Sequence, residues 1–302
     1  MIKILLIDFT LRLLVAGFLW GENPLKKLTT VLLLGVSLAS PLPAMAGPAE
    51  DLAKFQEMFK KLLPSLVLAD YANGAYAIDQ VGRENWQAIE EFPPYEPNIE
   101  QGKKLFEAPF ANGKTMAGCF SNGGVGIRQN YPRFDVAAGQ VKTLEMDINA
   151  CRQENGEAPY KDLAKGEIAS IVAYMAYTSR GKPMSVQIPD NPQALAAYEK
   201  GKQFYYAKRG QLNFSCADCH MSNAGKNLRS EILSPGLGQG TGFPVYRSTW
   251  GFLGTLHHRY RGCNEQIRAK PLPYQSEEYR NLEYFQAYMN TGVPVSGPSA
   301  RK

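Results

Sequence analysis

The stretch NFSCADCHMSNAG, residues 213–225, decides how the chain is interpreted. It places Cys216 and Cys219 three positions apart, with His220 directly after the second cysteine. Two thiols on one helical turn suit addition to the two vinyl groups of a haem, and the adjoining imidazole then reaches the iron from the proximal side. A redox dithiol would lie in a βαβ context, and a zinc site would have further Cys or His ligands at matching spacing; neither pattern surrounds this stretch. The motif therefore predicts one covalently bound haem c.

The segment before this motif repeats an earlier one. YEKGKQFY, residues 198–205, matches IEQGKKLF, residues 99–106, in an acid, a Gly-Lys pair and a following aromatic residue. A cysteine follows the glycine in both copies, at Cys119 and at Cys216. Each copy ends in a segment with apolar residues at helical spacing, which contains Ala-Tyr-Met and stops near a glycine. This pattern indicates an internal duplication with a period of about one hundred residues, the size of a module.

The duplication predicts a mainly α fold with two tandem cytochrome c-like modules. The first module is assigned to residues 47–181 and the haem-binding module to residues 193–302. Residues 182–192 contain three prolines and no helical pattern, so they are predicted to form a linker. Few segments show the apolar-polar alternation of strands.

The first module departs from the haem motif at two positions. When CFSNG is aligned with CADCH, Asn122 replaces the second cysteine and Gly123 replaces the histidine. The first module is therefore predicted to lack haem. Its Cys119 and Cys151 are expected to form a disulfide in an oxidising compartment, which would stabilise the module by about 3 kcal/mol. Two free thiols are the alternative.

Residues 1–46 are predicted to be a signal peptide with an upstream extension that does not fit the pattern. A basic pair and an apolar stretch lead to a small-x-small ending at residues 44–46, where cleavage is expected. The upstream extension is apolar but contains Asp8 and Arg12, and charges are costly at a membrane centre. Either translation begins near Leu25 or a transmembrane helix precedes the signal peptide. Both alternatives predict export, and we expect the protein in the periplasm.

Cys263 is the fifth cysteine and has no partner in this scheme. The basic residues around it are His257, His258, Arg259, Arg261, Arg268 and Lys270. Cations at this density favour the thiolate form of a cysteine and attract a small dianion. Gly262 would let backbone or ligand approach closely. The alternative is a solvated basic loop with an incidental buried thiol.

The residues themselves leave the distal ligand of the haem iron open. The candidates are Met221, Met289, His257, His258 and Cys263. Electron-carrier cytochromes use methionine, but Met221 adjoins the proximal histidine, which is poor geometry for a distal ligand. Met175 occupies the place of Met289 in the first module, which favours core packing for Met289. Cys263 would be an anionic ligand that lowers the haem potential relative to methionine.

The stretch FPVYRSTWGFLGTLHHRYRGCNEQIRA, residues 243–269, resembles the SoxA family when it follows a Cys-x-x-Cys-His motif and a haem-free module. The single motif is similar to the monohaem type of that family. The resemblance implies that Cys216 and Cys219 hold the porphyrin and that His220 is the proximal ligand. It also implies that Cys263 is both the distal ligand and the catalytic residue, found as a persulfide, and that Arg259 binds the substrate.

The resemblance further implies an L-cysteine S-thiosulfotransferase that joins thiosulfate to a cysteine of the SoxYZ carrier protein. The electrons would pass through the haem to a small SoxX-like cytochrome, the partner in a heterodimer, and then to a small cytochrome c acceptor. Because one haem takes one electron, a two-electron oxidation requires that second centre. A thiosulfate dehydrogenase that forms tetrathionate and a plain electron-carrier cytochrome are the alternatives. The net charge of +5, without a long Lys/Arg run, gives no indication of nucleic-acid binding.

Overall fold

Helices dominate residues 47–301, the part of the chain that the computed structural model describes. The α-helices in this range are α1 (Pro48–Leu62), α2 (Gln80–Glu91), α3 (Glu96–Glu107), α4 (Leu144–Glu154), α5 (Glu167–Tyr177), α6 (Pro192–Tyr206), α7 (Leu256–Gln266) and α8 (Glu277–Met289). Short 3₁₀ turns lie at Leu68–Ala77, Met116–Cys119, Ser121–Gly124 and Arg128–Asn130, and a π-type turn lies at Asp218–Ser222. No helix in the described range combines the length and apolar character that a membrane crossing requires. The predicted signal peptide and its upstream extension lie outside the described residues.

Several helix starts follow directly from the sequence. Asn191 caps α6, because its Oδ1 accepts hydrogen bonds from the backbone N–H groups of residues 193 and 194, and Pro192 is the first helical residue. Thr143 caps α4 and Ser276 caps α8 through their side-chain hydroxyls. These caps satisfy N–H groups that have no partner within the helix.

The strands are short, and the sequence did not predict them. They are β1 (Arg133–Asp135), β2 (Gln140–Lys142), β3 (Asn227–Leu228), β4 (Glu231–Ile232), β5 (Val245–Arg247), β6 (Phe252–Gly254) and β7 (Ser299–Arg301). Two antiparallel pairs, β1–β2 and β3–β4, stand apart from a three-stranded sheet of order β6-β5-β7. In that sheet Val245 lies opposite Gly254 in an antiparallel pair and opposite Ser299 in a parallel pair. Strands of two or three residues are too short to show alternation in a sequence.

Glycines of the sequence repeat lie where two pairs of helices cross. Helix α3 packs on α5, and α6 packs on α8. A Cβ atom at Gly102 would overlap the backbone carbonyl oxygen of Ser170, and one at Gly201 would overlap that of Asn281. Glycine is therefore required at both crossings because the backbones approach too closely for any side chain. The repeated Gly-Lys pair marks the same packing feature in both halves.

The hydrophobic cores follow the two helix pairs, but α1, β1 and β2, which precede the second half in sequence, also contribute side chains to its core. One core contains apolar side chains of α3, α4 and α5, including Phe106, Ile148 and Met175. A larger core contains those of α6, α7 and α8 and also includes Phe55 and Phe59 of α1. Helix α1 thus packs with the second half of the chain, although it precedes the first half in sequence. All described residues belong to one compact unit.

The predicted linker packs against the second half and is hydrogen-bonded to it. Met184 and Val186 are buried, and the backbone N–H of Met184 donates a hydrogen bond to the carbonyl oxygen of Val293 at 2.9 Å. A β-bridge joins Pro183 to Pro294. Residues 182–191 form no helix, as the prolines predict, but they are a packed part of the structure, and α6 begins at Pro192.

The predicted Cys119–Cys151 disulfide is present. It joins the 3₁₀ turn Met116–Cys119 to α4, and Cys151 is buried in the core of the first half. The bond therefore fastens this turn to α4.

Candidate haem site

The turn that contains the Cys-x-x-Cys-His motif is built by its own polar residues. The backbone N–H and the hydroxyl of Ser215 donate to Asp218 Oδ2 at 2.8 and 2.9 Å, and the N–H of Asp218 donates back to Ser215 Oγ at 3.0 Å. The side-chain amide of Asn223 closes the other end by donating to the carbonyl oxygen of Asp218 at 2.7 Å. These reciprocal bonds hold residues 215–223 in one short helical segment, so both thiols and the imidazole project from the same part of the chain.

His220 is held in the protonation state that an iron ligand requires. Its Nδ1 lies 2.9 Å from the carbonyl oxygen of Ser234, an acceptor only, so Nδ1 carries the proton and Nε2 keeps its lone pair. Burial, reinforced by the charge of Arg259, lowers the pKa of His220 to about 4, so the imidazole is neutral at physiological pH. Ser234 lies fourteen residues beyond the histidine, and no sequence pattern points to it.

The three thiols of the second half lie in one site. Burial raises the pKa of Cys216 to about 11; Arg209, whose Nη1 is 3.8 Å from the sulfur, opposes this shift, and the charge of Cys263 adds to it. Burial and then the charge of Cys263 also raise the pKa of Cys219. Cys263 on α7 is therefore close to both thiols of the motif, although it is more than forty residues away in sequence.

Besides Arg209, the fold brings Arg259 and Arg247 to this site. Arg259 lies one turn before Cys263 on α7, and its charge acts on both His220 and Cys219. Arg247 on β5 was not singled out from the sequence. Burial lowers the pKa of its guanidinium, the charge of Arg259 lowers it further, and the charge of Cys263 raises it. Arg247 pairs with Glu231 at 2.7 Å and its guanidinium lies over the Trp250 ring. Only the pairing of β5 with β6 places it here, so no local sequence signal was available.

The other basic residues near Cys263 in sequence have different environments. Arg261 donates to the carbonyl oxygen of Leu272 and lies 4.9 Å from the centre of the Tyr274 ring. Arg268 and Lys270 are exposed and line a cavity of about 540 Å³ beside Arg209. The sequence expectation of one basic cluster around Cys263 is therefore corrected: Arg261 lies on another face of α7 than Arg259 and Cys263, and Arg268 and Lys270 lie beyond the end of that helix.

The alternative distal ligands have other roles in the fold. Met289 is 1% exposed and packs in the large core, as Met175 does in the core of the first half. His257 is buried against Glu283, and its Nδ1 accepts a hydrogen bond from the backbone N–H of Gln275. His258 Nδ1 lies 3.1 Å from the Tyr274 hydroxyl, and its ring packs against Trp250. Met221, which follows His220 in the same turn, packs against the large core.

Comparison with known proteins identifies the family. A family model described as SoxA/TsdA, cytochrome c domain, matches residues 101–184. The L-cysteine S-thiosulfotransferase subunit SoxA of Allochromatium vinosum is 54% identical over 276 residues, covering 91% of this chain and 98% of that protein. The chain belongs to the SoxA family. The subunit of the same name from Chlorobaculum thiosulfatiphilum is 54% identical over 252 residues, covering 83% of this chain and 87% of that protein.

A solved structure of a SoxA relative supports the same assignment. The crystal structure of SoxXA from P. pantotrophus matches with a TM-score of 0.66 and 29% identity, covering 72% of this chain and 84% of the matched chain. The family resemblance predicted from residues 243–269 is thus confirmed.

A cytochrome c domain in the SoxA family implies a haem c, and the second half of the chain fits that group. Cys216 and Cys219 are placed on one turn, and His220 has a neutral imidazole whose Nε2 is free to bind iron. The region matched by the cytochrome c family model, residues 101–184, lies before this motif and contains the Cys119–Cys151 disulfide instead.

Proposed function

We propose that this chain is the haem-bearing subunit of an L-cysteine S-thiosulfotransferase, which joins thiosulfate to a cysteine of a SoxYZ-type carrier. The observation that carries the proposal is the pairing of Arg259 with Cys263, one turn apart on α7 and close to His220 and the thiols of the motif. In the overall reaction, thiosulfate and the carrier thiol give a carrier-bound S-thiosulfonate, one proton and two electrons.

The second half would bind one haem c covalently. Cys216 and Cys219 would form the thioether bonds, His220 would be the proximal ligand and Cys263 the distal ligand. The other side chains considered for the distal position are packed in the core or hydrogen-bonded elsewhere, which supports Cys263. When bound, the haem supplies a one-electron acceptor with a thiolate ligand, whose negative charge lowers its potential relative to methionine ligation.

Arg259 and Cys263 would have different roles towards thiosulfate: Arg259 would bind it, and Cys263 would react with it. The planar guanidinium of Arg259 suits two-point contact with sulfonate oxygens, and this contact would direct the terminal sulfur towards Cys263. A sulfur–sulfur bond forms between Cys263 and that terminal sulfur as two electrons leave. The carrier thiolate then attacks the same sulfur, the bond to Cys263 breaks, and Cys263 is released as a thiolate. Arg247 adds positive charge that stabilises the bound dianion.

The reaction requires partners, because one haem accepts one electron. A small SoxX-like cytochrome would supply the second haem in a heterodimer, and a small cytochrome c would take the electrons onward. The predicted signal peptide would direct the chain to the periplasm, where the Cys119–Cys151 disulfide is stable.

The chain would consist of two tandem cytochrome c-like modules, at residues 47–181 and 193–302, joined by residues 182–192. The equivalent helix crossings at Gly102 and Gly201 support this organisation. So does the match of a cytochrome c family model to residues 101–184, the half without the haem motif.

The test uses the haem-loaded chain in complex with its small cytochrome partner. Thiosulfate and oxidised cytochrome c are added with and without the SoxYZ carrier, haem reduction is followed by absorbance, and the carrier is weighed intact. We expect a carrier adduct with the mass of one thiosulfate and reduction that depends on the carrier. Replacement of Cys263 by methionine should abolish adduct formation while the haem remains reducible.

Two results would overturn the proposal. Tetrathionate formed at the same rate without the carrier would establish a thiosulfate dehydrogenase. Full adduct formation by the Cys263→Met variant would show that Cys263 does not handle the sulfur.

A further inference from the structure

A buried cluster of charged side chains lies behind α7, apart from the haem site. Its members come from four segments: Arg128 from a 3₁₀ turn of the first half, Glu145 from α4, His257 from α7 and Glu283 from α8. Their exposed fractions are 7%, 7%, 1% and 4%, respectively. Arg128 Nη2 lies 3.7 Å from Glu283 Oε1, and His257 Nε2 lies 3.2 Å from Glu283 Oε2. Charged side chains are rarely buried to this degree unless they are paired.

The charges of this cluster do not balance without an added proton. The backbone N–H of Gln275 donates to His257 Nδ1 at 3.1 Å, so that nitrogen is unprotonated and the imidazole is neutral. Arg128 then supplies one positive charge against two carboxylates, which leaves a net charge of −1 away from water. A buried net charge is unfavourable, and a proton on one carboxylate removes it.

Glu145 is the carboxylate that takes this proton. Burial, followed by the charge of Glu283, raises the pKa of Glu145, while the charge of Arg128 opposes the shift. The ring of Tyr279 on α8 lies 5.5 Å from that of His257. Tyr260 on α7 also faces the cluster, since the charges of Glu283 and Arg128 act on it. Its hydroxyl donates to Gln286 on α8, so it holds its own proton.

The cluster holds the N-terminal end of α7, the helix that carries Arg259 and Cys263. Thr255, just before α7, binds the first half twice: its hydroxyl donates to the carbonyl oxygen of Leu163 at 2.7 Å, and its N–H donates to that of Ala164 at 2.9 Å. His257 follows on the buried face. At about 100° per residue, Arg259 and Cys263 lie roughly 40° from each other and on the far side of the helix from His257. The buried face therefore sets the rotation of α7 and the direction of the reactive face.

We propose that Arg128, Glu145, His257 and Glu283 form a proton-binding positioning site, which locks α7 between the two halves of the chain and so fixes Arg259 and Cys263 towards the substrate. The site takes up one proton as the pH falls. It acts through His257 and contacts neither thiosulfate nor iron. The positioning role rests on the proposed function, but the uptake of a proton does not.

The first experiment tests whether the cluster takes up a proton, and it needs no activity assay. Thermal unfolding of the haem-loaded protein is followed from pH 5 to pH 9 for the wild type, for Glu145→Gln and for Glu154→Gln, an exposed carboxylate on the same helix. A raised carboxyl pKa favours the folded state at low pH, and this contribution is lost as the pH rises through the folded pKa. Glu145→Gln is therefore expected to have a Tm above that of the wild type by roughly 4 °C or more at pH 8, with the gap closing towards pH 5.

Identical pH profiles for the wild type and Glu145→Gln would overturn the proton-binding site. An equal effect of Glu154→Gln would do the same, because it would show that any lost negative charge on α4 suffices. Neither outcome depends on whether the chain is a transferase.

The second experiment tests positioning with Glu283→Gln in the thiosulfate assay. Rotation of α7 should raise the KM for thiosulfate by about 10-fold or more with a smaller change in kcat, and should shift the thiolate-sensitive absorption bands of the haem. Unchanged KM and bands in a folded Glu283→Gln variant would overturn the positioning role. If Glu283→Gln fails to fold, the pH dependence of the KM for thiosulfate tests positioning instead. Glu145→Gln should flatten this dependence. An unaltered pH profile of KM would count against the positioning role. A wild-type protein without transferase activity would refute the proposed function and leave the unfolding profiles as the test of the cluster.

Discussion

Replacement of Gly201 by alanine should destabilise the protein strongly, although alanine is the better helix former. The new Cβ would overlap the carbonyl oxygen of Asn281 and would lie 3.0 Å from the Cβ of Phe285. Carbon atoms attract best at about 3.5–4.0 Å, so α6 and α8 must move apart. Overpacking of this kind costs about 3 kcal/mol, and the higher helix propensity of alanine returns up to about 1 kcal/mol. The net loss of stability is therefore at least about 2 kcal/mol.

Thermal unfolding measured by circular dichroism tests this value. A loss of about 2 kcal/mol lowers the Tm of a chain of this size by roughly 4–8 °C. Gly102→Ala should have a similar effect, because its Cβ would overlap the carbonyl oxygen of Ser170. Gly262→Ala is the matched control, since that glycine lies within α7 and a Cβ there meets no protein atom within 4 Å. A Tm for Gly201→Ala within 1 °C of the Gly262→Ala value would refute the close crossing of α6 and α8.

The remaining predictions concern the disulfide, the reactive cysteine and the arginine beside it. Serine at both Cys119 and Cys151 should lower the free energy of unfolding by about 3–4 kcal/mol, measured by denaturant titration, with the haem spectrum unchanged; a spectral change would contradict the separation of the two sites. Cys263→Met should raise the haem potential in a spectroelectrochemical titration, because a neutral ligand replaces an anionic one, and an unaltered potential would remove Cys263 from the iron. Arg259→Gln should raise the KM for thiosulfate by about 10-fold or more and Arg259→Lys by less; equal KM values for both variants and the wild type would exclude Arg259 from substrate binding.

The sequence predicted the parts of the site that are local along the chain. Cys216, Cys219 and His220 form one turn, and the residues that wind that turn lie within the same stretch. The Cys119–Cys151 disulfide was predicted because an exported chain leaves few other partners for two cysteines, and it is present. The repeated glycines were visible as a pattern, and their role at the helix crossings became clear only from the backbone geometry.

Features that depend on contacts between residues far apart in sequence could not be predicted from the sequence. Arg247 reaches the site because β5 pairs with β6 and β7, three-residue strands without a periodic signal. Ser234 orients His220 through a backbone carbonyl, a group that every residue has, so sequence does not distinguish it. The cluster around Glu145 and Glu283 assembles from four segments, and each of its members alone resembles an ordinary surface charge. The expectation of one basic cluster near Cys263 was wrong for Arg261 for the related reason that neighbours in sequence diverge around a helix.

The residues matched by the cytochrome c family model, 101–184, have no Cys-x-x-Cys-His motif, and their backbone differs from that of the turn that contains it. In the second half the motif forms a helical turn, whereas Asn122 and Gly123, at the equivalent positions of the first half, have φ angles of 51° and 61°. A left-handed backbone there would not present two thiols and an imidazole on one turn, so the change affects the backbone as well as the side chains. Phe106 lies against Gly124 and is buried, and the Cys119–Cys151 disulfide fastens the preceding turn to α4. Packing and a covalent bond thus stabilise this part of the first half, which also contributes Arg128 and Glu145 behind α7.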